Sequence, residues 1–144
     1  MRSAIDLAQQ AHSAGDVPVG AIVLDSQGEI IGRGLNTREV DHDPMSHAEV
    51  VAMREAAAHL GSWRLDECTL VVTLEPCTMC AGTAVQARIS EIVFGAFDEK
   101  AGAAGSVYDL LRDRRLNHQV EVISGISADQ CGQLLTEFFR EKLG

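Results

Sequence analysis

Two short stretches carry side chains whose types and spacing suit chemistry, "SHAEV" (46–50) and "EPCTMC" (75–80). Cys77 and Cys80 stand three apart directly after Pro76, which places them on neighbouring faces of a first helical turn. Pro76 fits there because no backbone N–H is needed at that point. The partial positive charge of a helix N-terminus favours the thiolate, the form that binds metal. Two thiolates on a tight turn suit zinc, which takes its remaining ligands from Cys or His. A C-x-x-C pair also serves thiol–disulfide exchange, but such motifs follow the first strand of their fold, and this one follows the third. Of the five histidines, only His47 opens a helix straight after a polar loop, and it is the candidate third ligand. Glu49 lies two residues further on. Positions i and i+2 do not share a helix face, so both serve one centre only if the helix points its first turn at it.

An H-x-E followed by P-C-x-x-C is the pattern of zinc nucleobase deaminases. His47, Cys77 and Cys80 leave one tetrahedral position for water, the arrangement of a catalytic rather than a structural zinc. Zinc lowers the pKa of its water toward about 7. Glu49, beside the site but not ligating, takes the proton, and hydroxide attacks an amidine carbon. Glu49 then returns protons to the ring nitrogen and the departing ammonia. The competing arrangement is a closed structural site with Cys68 or Cys131 as fourth ligand. Cys131 belongs to an apolar helical stripe and Cys68 precedes an apolar strand, where buried free cysteines are common.

These residues need a frame. Ala4, Leu7, Ala8, Ala11 and Ala14 repeat at helical spacing within 4–14. "VPVGAIVLD" (17–25) and the glycine-interrupted "IIGRGLN" (30–36) are strands around the turn "DSQGE". Residues 37–46 are a polar loop. Ala48, Ala52, Ala56 and Leu60 mark a second helix ending at Gly61. "TLVVTL" (69–74), a helix over 77–88 and "EIVFGA" (91–96) form a strand–helix–strand unit with a parallel pair. Residues 97–118 are irregular, with one helical turn expected at 108–111. A strand follows at 119–124. Ser127 and Gln130 form a capping box for a last helix whose Cys131, Leu134, Leu135 and Phe138 face inward. The expectation is an α/β fold of three α/β/α layers around a five-stranded mixed sheet, one domain over 1–144.

The 144 residues include 46% hydrophobic and 23% charged side chains, the mix of an ordinary globular chain. No signal peptide or membrane span is expected. Four cysteines without a secretory signal point to a reducing cytoplasm. A net charge of −9 is awkward for a nucleic-acid partner unless cations gather locally. "RDRRLNH" (112–118) is the best candidate patch, joined by Lys100, Arg140 and Lys142.

The stretches "DVPVGAIV", "HDPMSHAEV", "TLEPCTMCAG", "RISEIVFGAFDEKAGAAGS" and the "LNHQVEVISGI" tail together resemble bacterial tRNA adenosine deaminases over nearly the whole chain. The zinc motifs alone equally fit cytosine, cytidine or guanine deaminases, and the segments after residue 91 narrow the likeness. The resemblance implies a cytidine deaminase-like fold, one zinc per subunit and a homodimer. It also implies tRNA as partner, with hydrolytic conversion of the wobble adenosine to inosine. By the same likeness Asn36 bonds the purine, Val19 and the Ala48 backbone line the pocket, and Asp98 meets flanking anticodon nucleotides. Phe139 and Arg140 also approach the RNA. The chain departs from the family in Met45-Ser46, in a first helix that begins almost at once, and in lacking a lysine-rich tail. Two other readings stay open: a deaminase of free bases or nucleosides, and a non-catalytic, zinc-stabilised RNA-binding module.

Overall fold

The computed structural model describes residues 1–143. Its elements are α1 (Arg2–Ser13), β1 (Gly20–Leu24), β2 (Ile30–Leu35), α2 (Arg38–Asp41) and α3 (Ala48–Leu60), followed by β3 (Thr69–Leu74), α4 (Thr78–Gln86), β4 (Glu91–Ala96), β5 (Glu121–Ile123) and α5 (Ala128–Leu143). The sheet order is β2-β1-β3-β4-β5. β1 runs antiparallel to β2 and β3, whereas β3–β4 and β4–β5 are parallel. The mixed sheet and the parallel β3–α4–β4 unit are as the apolar runs predict.

Alternation along the strands divides the core between two faces. Ala21, Val23, Leu70, Val72, Ile92 and Phe94 pack under α3 and α4. Ile22 and Val71 meet Ala4 and Leu7 of α1, and Cys131 of α5 packs with Ile5 and Ala96. The layers are therefore α3/α4, sheet, and α1/α5. α3 lies close against β2 because residues 32 and 34, which face it, are glycines. A Cβ on Gly34 would stand 2.2 Å from the Ala48 carbonyl oxygen, and one on Gly32 would stand 2.2 Å from that of Ala52. That approach fixes the N-terminal turn of α3, where His47 and Glu49 sit.

Several expectations change. The loop at 37–46 contains the short helix α2. No helical turn forms at 108–111; an isolated bridge joins Ala104 to Asp109 instead. The capping box does not form. Ser127 adopts φ 57°, and neither its side chain nor that of Gln130 makes a hydrogen bond among the described residues. The cause is tertiary: the Ile126 N–H is drawn to the Phe94 carbonyl at 3.2 Å, which sets the entry to α5. Leu60 is 44% exposed, although Ala48, Ala52 and Ala56 are fully buried. No helix among the described residues is long and apolar enough to cross a membrane.

Candidate metal centre and substrate pocket

His47 and Cys77 hold the same structural position, each the N-cap of its helix in extended conformation. An N-cap side chain usually bonds the first turn of its own helix. Neither does so here. Their backbone carbonyls still begin the helices, accepting from Val51 at 3.1 Å and Ala81 at 2.8 Å. The side chains are thus free to meet each other across the gap between two helix ends. Cys80, in the first turn of α4, completes the group and is fully buried.

The Nδ1 of His47 lies 3.6 Å from the Cys77 sulfur and 3.4 Å from that of Cys80. Zinc–nitrogen and zinc–sulfur bonds of about 2.0 and 2.3 Å at a tetrahedral angle separate such atoms by about 3.5 Å. The donor set and its spacing therefore fit zinc. His47, Cys77 and Cys80 form the one such cluster of three or more His, Cys, Asp or Glu ligands among the described residues. Cys68 and Cys131 are buried elsewhere, in the packing of the two sheet faces, so the closed four-ligand alternative finds no fourth His, Cys, Asp or Glu ligand in the cluster among the described residues.

The thiols titrate as a pair. The hydrogen bond from Cys80 above all, opposed by burial and aided by His47, holds Cys77 down at about 3. Cys80 is driven up by that same bond and by burial. Burial pushes the Glu49 carboxyl up to about 7, against its own backbone N–H and the charge of His47. A divalent cation alongside adds a further downward pull. Glu49 is 3% exposed and lies in the first turn of α3, so that turn does point at the centre.

These groups open onto a cavity of about 230 Å³. Val19, Asn36, Ala48 and Asp98 line it together with His47, Glu49 and Cys77. Asn36 Nδ2 donates to the Val17 carbonyl at 3.2 Å, and Oδ1 accepts the Arg38 N–H at 3.2 Å. One amide proton and one lone pair of Asn36 remain for a ligand. Phe139 is not in this cavity. It is 51% exposed and lines an adjoining groove of about 560 Å³ with Phe97 and Lys100, which shares Val17, Leu74, Asp98 and Ala101 with the pocket. Arg140 is exposed and lines neither. The basic run at 112–118 does not form a free patch. Arg112 pairs with Asp109 at 2.8 Å and Arg115 with Asp113 at 2.7 Å, which spends two of its three arginines locally.

Two pocket residues, Arg38 and Glu75, escape a reading of motifs, as does Asp16, which holds the turn that carries Arg38. Glu75 is 2% exposed and stands between an apolar strand and the Pro76-Cys77 pair, a charge at an apolar boundary that is itself a signal. Asp16 and Arg38 offer no such cue. Met45 is 54% exposed, whereas Ser46 is buried and its hydroxyl meets that of Thr37 at 2.6 Å, closing the α2 loop onto the start of α3.

Residues 1–96 match the cytidine and deoxycytidylate deaminase zinc-binding region. The tRNA-specific adenosine deaminase of Bacillus subtilis is 48% identical over 98% of this chain and 87% of its own length. That of Haemophilus influenzae is 46% identical over 99% and 82%. A structure solved in work on A-to-I editing by tRNA deaminases at the wobble position of transfer RNA superposes with a TM-score of 0.87. It is 38% identical and covers 94% of this chain and 97% of that one. The kinship extends past residue 96 through the loop, β5 and α5, and with it the chain belongs to the tRNA-specific adenosine deaminases within the zinc-binding cytidine and deoxycytidylate deaminase family.

Proposed function

We propose that the chain converts adenosine to inosine at the wobble position of a tRNA anticodon, with water as co-substrate and ammonia as the second product. The observation that carries the chemistry is Glu49, buried at the floor of the pocket beside the His47–Cys77–Cys80 cluster. Zinc held by those three side chains supplies a water whose pKa falls toward about 7. Glu49 accepts the proton of the attacking water and delivers it to the adenine ring nitrogen. It then carries the second proton to the departing amine, so that ammonia leaves. The carboxyl can hold a proton through both transfers because burial disfavours its charge.

The cavity has room for one nucleobase and not for a base still stacked on its neighbours, so the adenosine enters unstacked. Asn36 bonds the purine edge with its unused donor and acceptor, Val19 and the Ala48 backbone form the walls, and Asp98 stands at the mouth. Phe139, across the adjoining groove, meets a flanking nucleotide, and Arg140 approaches the backbone beyond it. A tRNA substrate places the enzyme in the cytoplasm. A second copy of the chain covers the outer side of α3 and α4. There Val50, Met53, Ala57 and the 63%-exposed Trp63 line an open apolar groove of about 550 Å³.

The test is to incubate zinc-loaded protein with an anticodon stem-loop bearing a wobble adenosine, and separately with adenine, adenosine, cytosine, cytidine and guanine. Inosine in the stem-loop is expected. Ammonia released only from a free base or nucleoside would overturn the assignment. Light scattering of the same preparation reads the mass, for which twice the chain is expected.

A further inference from the structure

Arg38 is the one cation on the pocket lining, and the deamination chemistry gives it no task. Glu49, Glu75 and Asp98 share that lining, yet Arg38 forms no ion pair with any carboxylate among the described residues. Its guanidinium meets one side chain, the Nε2 of His47, at 3.5 Å. With the Nδ1 of His47 turned to the two sulfurs, Nε2 bears the ring proton when metal is held. A guanidinium also has only donors. Two donors therefore face the same space at the pocket mouth. A metal-bound histidine ordinarily gives its second N–H to an acceptor, and the His47 Nε2 is hydrogen-bonded to no acceptor among the described residues.

The turn carrying Arg38 is fixed on both sides. Its own N–H goes to Asn36 Oδ1, and the next two N–H groups, of Glu39 and Val40, go to the two oxygens of Asp16 at 3.0 and 3.1 Å. Asp16 is 1% exposed, and burying a carboxylate is costly unless bonds of this kind satisfy it. The fold thus uses a buried acid to hold an otherwise unpartnered arginine beside the metal ligand.

We propose that Arg38, with the Nε2–H of His47 beside it, binds the non-bridging oxygens of a phosphodiester next to the target adenosine, and so selects RNA over free nucleosides and bases. The inference rests on the RNA-editing reading of the pocket. A phosphodiester supplies the acceptors that both donors need, and the planar guanidinium suits it. A free base or nucleoside brings no phosphate. The contact also gives a chain of net charge −9 a cation for RNA that is local and beside the chemistry.

The experiment is a cycle. Zinc-loaded protein carrying Glu49→Ala, to stop turnover, is titrated by fluorescence anisotropy with labelled anticodon stem-loops. One stem-loop is unmodified, and two others carry a neutral methylphosphonate at the linkage 5′ or 3′ of the target adenosine. Each titration is repeated with Arg38→Gln added. One of the two phosphonates is expected to weaken binding roughly tenfold, Arg38→Gln to do the same, and the combination to be no worse than either alone. The slope of log affinity against log salt falls by about one in the variant. With Glu49 intact, the loss from Arg38→Gln falls mainly on KM. Losses that multiply, or an Arg38→Gln protein that binds as tightly as its parent, would overturn the proposal. A parent that binds none of the stem-loops would overturn the RNA-editing reading, and this inference with it.

Discussion

The carboxylate of Glu75, two residues before a ligand cysteine, accepts the backbone N–H of Ala104 at 3.0 Å. The same oxygen takes the Ser106 N–H at 3.1 Å, and the other takes the Asp98 N–H at 3.0 Å and the Ser106 hydroxyl. The Ala103 N–H bonds the Pro76 carbonyl alongside, at 2.8 Å. Residues 98–106 are thereby latched over the strand end that leads to Cys77, and Asp98 and Ala101 are brought to the pocket. Gly102 is glycine because a Cβ there would lie 2.3 Å from the Glu75 carboxyl carbon. Glu75→Gln sets an amide N–H₂ against backbone donors. We expect it to cost about 2–4 kcal/mol, on the scale of hydrogen bonds to a charged group, and to slow turnover while zinc content holds. Thermal melts and metal analysis check this, and a variant that melts like the wild type would remove the latch from the account.

The latch is also pH-dependent. Burial alone would raise the Glu75 pKa, but the Ser106 hydroxyl and the Asp98, Ser106 and Ala104 N–H groups outweigh it and hold the carboxyl below its usual range. A folded pKa below the unfolded one stabilises fully above the ordinary value of about 4.3 and is lost as pH falls through the folded value. The stability gap between wild type and Glu75→Gln is therefore constant from neutral pH down to about 5 and shrinks below that. Urea melts across that range read it directly. A gap that widened in acid would contradict the sign.

Why one half of the site was legible in the sequence and the other was not follows from range. Cys77, Cys80 and His47 belong to rare types, Glu49 stands at a short fixed spacing from His47, and each pair is carried by one helix start. β3 and β4 were equally plain, because "TLVVTL" and "EIVFGA" are apolar runs with clear ends. Asp16 acts on α2 from 23 and 24 positions away, and Glu75 acts on its loop from 23 to 31. Such partners leave no period to read. Ser127 shows the converse, a good local pattern overridden when Ile126 is drawn to β4.

The proposed role of Glu49, proton carrier and not ligand, separates two measurements. Glu49→Ala is expected to keep about one zinc per chain. Inosine formation is expected to fall by at least about 10²–10⁴-fold, the usual worth of a positioned general acid–base. Turnover within tenfold of wild type would show that another group moves the protons.

Zinc uptake is expected to be proton-linked. Cys80 is held well above its ordinary range by its bond with Cys77 and by burial, so it keeps its proton across neutral pH. Metal binding must expel that proton. One proton per metal makes apparent affinity rise about tenfold per pH unit, and more steeply at the acid end, where His47, raised chiefly by its bond to Cys77, is also protonated. Competition against a chromophoric chelator from about pH 6 to about pH 8 gives the slope, and a flat profile would mean that both thiols are already ionised.

The close approach of β2 to the start of α3 gives a paired test. A Cβ on Gly34 would meet the Ala48 carbonyl oxygen at 2.2 Å and the Ala52 nitrogen at 2.7 Å, and neither backbone atom can swing aside as a side-chain end would. Gly34→Ala must lift the N-terminal turn of α3, so we expect a loss of about 1–3 kcal/mol or more together with weaker zinc binding, since His47 caps that turn. Gly82, in the middle of α4, meets nothing within 4 Å. Gly82→Ala is expected to be neutral or to stabilise by about 0.5–1 kcal/mol, because alanine loses less backbone entropy in a helix. Melting both variants with and without chelator separates packing from metal retention. If Gly34→Ala melted lower yet bound zinc as tightly as wild type, the ligand geometry would be set by the loop before His47 and not by the seating of α3 on β2.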